Sequence, residues 1–239
     1  MQLKKKQMKK LYALITLSFI IASCNTTSPT GNLQIQGTIK GLKKGTLYLQ
    51  QLQDTLLVAL DSIQINGDGN FAFDTTIDEA QILYLNLEKK DNNEFNDRIR
   101  IFAEPGKISV NTSWNTFDIS PEISGSTSHE VFENFQKMMS RFNNKNLELI
   151  QKALSYSQEG NQKAMDSLIE LNNKNELRRY LFAINYALNH KESVVAPYIA
   201  AVEIPEANPK FLDSIYRVLP APVANSRYGK QLKSLLSQE

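Results

Sequence analysis

Sulfur is scarce in this chain: its 239 residues hold one cysteine, Cys24. Thiol-disulfide exchange needs one thiolate to attack a substrate disulfide and a second to resolve the mixed intermediate, so the chain by itself lacks that chemistry. Histidine is nearly as scarce. His129 and His190 are the two present, and beyond the neighbouring Glu130 and Glu192 neither has an acid or thiol at metal-ligand spacing. A zinc site needs three or four converging ligands, so neither a metal nor a cofactor is expected. No Gly-x-Ser-x-Gly elbow and no phosphate-binding glycine loop occur, and "GSTSHE" fits neither. Beyond the first ten residues, basic residues cluster in nothing longer than short pairs such as Lys43-Lys44, Lys89-Lys90 and Arg178-Arg179, which excludes the clustered positive surface that nucleic acid requires. No enzyme activity is expected, although an unrecognised arrangement of Ser, His and acid, a cryptic hydrolase, stays open.

The start of the chain orders what it does have. "MQLKKKQMKK" is basic, and "LYALITLSFIIAS" is uncharged and mostly apolar, too short for a hydrocarbon core that needs about 20 apolar residues. These are the n-region and h-region of a secretory signal, with an ordinary signal peptide and a coincidental cysteine as the plainer alternative. Ile21-Ala22-Ser23-Cys24 resembles the lipobox of bacterial lipoproteins. That resemblance implies cleavage between Ser23 and Cys24, a signal over residues 1–23, and a diacylglycerol on the Cys24 thiol. Several acyl chains, at about 0.8 kcal/mol per buried methylene, would hold the protein on a membrane. Loss of five signal lysines turns the formal +2 into −3 for residues 24–239. Residues 24–31, "CNTTSPTG", are small and polar and read as a flexible tether.

Residues 32–124 alternate with the period of half-buried strands. "LQIQGTIKG", "GTLYLQQL", "TLLVALDSIQI", "NFAFDTTI", "QILYLNLE", "RIRIFAE" and "KISVNT" are separated by turn residues, which predicts an antiparallel β-sandwich or barrel-like domain. In "NGDGN" the oxygens of Asn66, Asp68 and Asn70 follow a calcium-loop spacing, but Phe71 and Ile77 replace its glycine and glutamate. Asp68-Gly69 is therefore a hairpin turn. Residues 125–239 switch to helical period. Val131, Phe132, Phe135, Met138, Met139, Phe142, Leu149, Ile150, Ala153 and Leu154 form one apolar stripe, and Met165, Leu168, Leu177, Tyr180, Leu181, Ile184 and Leu188 a second, with a break at Gly160-Asn161. Both stripes are expected to be core. Ser126 or Thr127 caps the first helix with Glu130 near the capping-box position. Ser193, Asn208 with Pro209, and Asn225 or Ser226 open shorter helices. The fold class is α+β, with the helical region a spacer or bundle.

"IQGTIKGLKKGTLYLQQL", "DSIQINGDGNFAFDTTI", "IFAEPGKISV" and "ISGSTSHEVFENF" together resemble the N-terminal β domain of domain-of-unknown-function family 4369. The resemblance implies a lipid-anchored periplasmic protein of the kind that continues through a helical spacer into a thioredoxin-like domain, and "NSRYGKQLKSLL" looks like the end of that spacer. The family's redox activity does not carry over, because its cysteine pair is missing. In similar lipoproteins an acidic run after the cysteine accompanies surface display. Its absence implies the periplasmic face of the outer membrane.

The expected role is non-catalytic binding of a protein partner or small ligand. The alternative is an accessory to a thiol-disulfide or peroxide-handling system whose thioredoxin unit lies on another chain. Trp114, with Tyr48, Tyr84 and Phe117 nearby, is the candidate partner or ligand surface, against the plainer reading of strand packing. A sandwich edge that accepts an extended peptide is the preferred docking place.

Overall fold

The computed structural model describes residues 31–89 and 97–237. The signal, Ser23, Cys24 and nearly all of the tether lie outside the described residues. Among the described residues eight strands come first: β1 (Leu33–Lys40), β2 (Lys44–Gln53), β3 (Leu56–Asn66), β4 (Asn70–Thr75), β5 (Gln81–Lys89), β6 (Asp97–Ala103), β7 (Gly106–Ser113) and β8 (Glu122–Ser124). They form two four-stranded sheets, in the orders β4-β1-β7-β8 and β3-β2-β5-β6. Alternation along each strand turns Leu33, Ile35, Phe71, Phe73, Ile108 and Val110 of the first sheet toward Leu47, Leu49, Leu83, Leu85, Ile99 and Ile101 of the second. The fold is the expected α+β arrangement, a sandwich followed by helices. Five strand pairings are antiparallel, but β1 and β7 run parallel. Alternation specifies which face is buried and carries nothing on the direction of the neighbour.

Six helical segments follow: α1 (Thr127–Gln158), α2 (Gln162–Asn189), α3 (Val195–Tyr198), which runs on into a π-helical turn over Ile199–Glu203, α4 (Pro209–Val218), α5 (Ala221–Ala224) and α6 (Arg227–Leu236). Their caps follow local chemistry. Ser126, Asn161, Asn208 and Ser226 each accept a first-turn amide, and Gly160 takes φ +66° at the break between α1 and α2. The helices do not fold apart from the sandwich. Ile82 and Phe102 point out of the second sheet into a core with Phe132, Phe135, Tyr198, Ile199, Ile215, Tyr228 and Leu232.

The apolar stripes are core only near this body. Between Asn143 and Lys174, Leu149 and Leu168 are the buried side chains, whereas Ile150 and Leu154 of the first stripe, like Leu177 and Leu181 of the second, are exposed. A pair of helices has one mutual contact seam, narrower than the stripe that a fully covered helix would bury. No helix of the described residues is long and apolar enough to cross a membrane.

Candidate functional site

The junction of β6 with α1 is built from polar groups. Ser126 Oγ accepts from His129 N–H at 3.0 Å and donates to the Phe102 carbonyl at 2.8 Å, while His129 Nδ1 accepts the Phe102 N–H at 3.2 Å. The edge of the second sheet is thereby closed at Phe102 by side chains of the helix entry. The carboxylate at that entry is not Glu130, which sits one position past the capping-box place. Glu104, at the end of β6, accepts from Thr127 N–H at 2.6 Å and from Ser128 Oγ at 2.7 Å. It also complements the positive end of the helix.

His129 is 4% exposed and lies at the wall of a groove of about 650 Å³ between β6, the 118–121 loop, β8 and α1. Burial holds its pKa below the ordinary histidine value, Glu133 pulls it up and Lys137 pushes it down. With Nδ1 occupied by the Phe102 N–H, the neutral ring carries its proton on Nε2 and offers an N–H donor without a lone pair. That geometry does not serve a general base. The groove's charges are mixed: Arg98, Arg100 and Lys137 face Asp118, Glu122 and Glu133, and Lys137 pairs with Glu133 at 3.0 Å.

A second cavity, of about 480 Å³, opens where β2 parts from β5, beside Leu52, Tyr84, Tyr198, Arg227 and Tyr228. The Tyr228 hydroxyl accepts the Ile82 N–H at 3.0 Å, and the Tyr198 hydroxyl donates to Glu203 at 2.9 Å. The two rings meet edge to face at 5.0 Å. Burial is the main cause that raises both phenol pKa values.

Of the aromatic residues singled out in the sequence, the two tyrosines share one face of the second sheet. Tyr48 faces Asn86 and Tyr84 faces Gln50 across β2 and β5, which makes the tyrosines diagonal neighbours on the outer face of the second sheet. Tyr84 lines the 480 Å³ cavity beneath the Arg98 guanidinium, 5.9 Å from its ring. Tyr48 donates to Glu88 at 2.9 Å. Trp114 stands just past the end of β7, 44% exposed, with the Lys89 ammonium 5.7 Å from its ring and Gly41 against its edge. Phe117 is buried between the sheets. The Asp68 carboxylate accepts from Asn70 N–H at 3.1 Å and Nδ2 at 2.7 Å, closing the hairpin turn, and the first of these bonds is the main cause that lowers its pKa. Among the described residues no three His, Cys, Asp or Glu side chains converge as a metal ion would require.

The other edge of the second sheet is β3. It pairs with β2 on one side, and among the described residues no strand pairs with it on the other. Leu56, Val58 and Leu60 stand exposed along it, with Asp61 its one charge and a bulge opposite Leu49 and Gln50. The alternation that revealed β3 as a strand could not show that it would be an edge. Tyr198 and Tyr228 carried no signal beyond helical apolar period.

Residues 33–132 match the family described as Domain of unknown function (DUF4369). No curated protein matches the chain significantly.

Proposed function

We propose, with residues 33–132 a DUF4369 domain, that the chain is a lipid-anchored, non-catalytic cell-envelope protein. In this reading it is tethered through Cys24 to the periplasmic face of the outer membrane and holds a protein partner by strand addition at β3. The support for the anchor is the order of basic segment, short apolar run and Ile21-Ala22-Ser23-Cys24.

The single observation behind the partner site is the contrast between the edges of the second sheet. At Phe102 the β6 edge is satisfied by Ser126 and His129. Along β3 the edge is long, apolar and nearly uncharged. Sheet proteins ordinarily blunt such an edge with charge, proline, a bulge or a cover; β3 has its bulge opposite Leu49 and Gln50, so the template for an added strand is the uncharged stretch 56–59 beside it.

The test is photo-crosslinking in membranes with the reactive group at Val58, and a control group at Lys210 on α4. One reproducible partner captured at Val58, lost with Leu56→Lys and accompanied by slowed exchange of β3 amides, is expected. Equal capture at both positions would remove the reading. A thioredoxin-like protein as the captured partner would move the assignment to the accessory role. A small-ligand role draws separate support from the 480 Å³ cavity beside Tyr84, a volume within the usual range for small-molecule sites. A panel of short peptides and oligosaccharides that leaves the thermal midpoint unmoved would count against it.

A further inference from the structure

The outer half of the α1–α2 hairpin cannot make a core of its own. The side chain of Asn175 donates to the Phe142 carbonyl at 3.0 Å, and beyond that bond Leu149 and Leu168 are the side chains buried between the helices. Beside them runs an apolar groove of about 310 Å³, with Ile150 from α1 and Ile169 from α2 on its rim. Leu147 and Leu154 extend that rim along α1 at helical spacing. These four side chains are 49–62% exposed. Isolated exposed leucines are ordinary, but a lined row along a groove marks an interaction surface.

Charge selects the occupant. On the side of α1 that carries the rim, Asn143, Leu147, Ile150, Gln151, Leu154 and Gln158 are all uncharged. Lys145, Glu148 and Lys152 lie on the opposite side, with Lys145 and Glu148 paired at 2.8 Å. A two-fold interface sets a surface against its own copy, so a charged residue near the axis would meet a like charge. The α1 strip is free of that conflict, whereas α2 carries Asp166, Glu170 and Lys174 just outside the groove. We propose that this strip is the two-fold contact between two copies of the chain, with α1 packed antiparallel on its counterpart and the groove filled by the partner's Leu147 or Leu154.

From Asn143 to Gln158 the strip is about 24 Å long, and the one helix that carries it is about 10 Å wide. That amounts to roughly 240 Å² per copy, about 500 Å² in total, below what holds two free molecules together, so the contact is expected between copies concentrated on one membrane, as the lipid-anchor reading has them.

The test uses the full chain in membranes. Leu147→Cys, Ile150→Cys and Leu154→Cys are oxidised in parallel with Lys152→Cys on the far side of α1, and the wild type, whose cysteine is Cys24, sets the background. Disulfide-linked homodimer at one or more strip positions, at least about tenfold above Lys152→Cys, supports the contact. Adding Leu147→Asp to the best linker should abolish that product while leaving far-UV circular dichroism unchanged. Equal linking at Lys152→Cys, no product above background, or linkage to a different protein overturns the proposal.

Discussion

His129 and Phe102 are joined by a hydrogen bond from the strand backbone to the imidazole, Phe102 N–H to His129 Nδ1 at 3.2 Å. Ser126 takes the carbonyl of the same residue. One turn of α1 therefore seals one rung of an edge strand. The ring of Phe102 simultaneously meets Phe132, Tyr198 and Tyr228 at 5.5 to 5.7 Å. Sheet and helices are coupled at this residue by both polar and apolar contacts.

The buried imidazole makes stability depend on acid. Burial lowers the folded pKa of His129 below its ordinary value of 6.5. Its contribution is present above 6.5 and lost as pH falls through the lowered folded value, because the unfolded chain then binds a proton that the folded chain resists. His129→Phe should flatten this dependence in urea unfolding measured across pH 4 to 8. Leaving the Phe102 N–H unpaired should also cost about 1–3 kcal/mol at neutral pH. A wild type and variant with parallel pH profiles would refute the assignment.

Tyr228 supplies the reciprocal bond at the other end of the same surface. Tyr228→Phe removes the acceptor of the Ile82 N–H and should destabilise by about 1–3 kcal/mol in denaturant titration, with the fold retained. Tyr198 and Tyr228 both have raised folded pKa values. Their contribution is intact below the unfolded value near 10 and declines as pH rises beyond it. Tyr228→Phe should make that alkaline decline shallower.

Gly37 sits opposite Val110 in the parallel pair of β1 and β7, where an added Cβ would lie 1.7 Å from the Val110 carbonyl oxygen. Gly37→Ala must push the strands apart and should lower stability by more than about 2 kcal/mol, read as a fall in the unfolding midpoint. An unchanged midpoint would contradict the close approach.

Cys24 is testable without a fold. Cys24→Ser expressed with a fatty-acid label should give unlabelled, unprocessed protein, against labelled wild type. Label that persists in the variant would refute the lipobox reading.

Seven strands were legible because each is either an alternating or a continuous short apolar stretch bounded by turn residues. β8 was not, since its three residues carry one apolar side chain, Ile123. The helix breaks at Gly160-Asn161 and Asn208-Pro209 were legible for a local reason, because each uses a residue whose own side chain or backbone ends or caps a turn. Period alone assigned Ile150, Leu154, Leu177 and Leu181 to the core, and they are exposed, because period states that a helix has an apolar face and leaves open what covers it.

What the residues determined by themselves was local: strand faces, turn glycines, caps, and the lack of a second thiol. Tertiary structure decided which strand meets which and in what direction. It also buried Phe117 between the sheets, closed the β6 edge at Phe102 while leaving β3 open, and put a buried histidine lone pair on a backbone amide. Each of these depends on groups distant in sequence, as far apart as Ile82 and Tyr228, and no spacing along the chain encodes such a meeting.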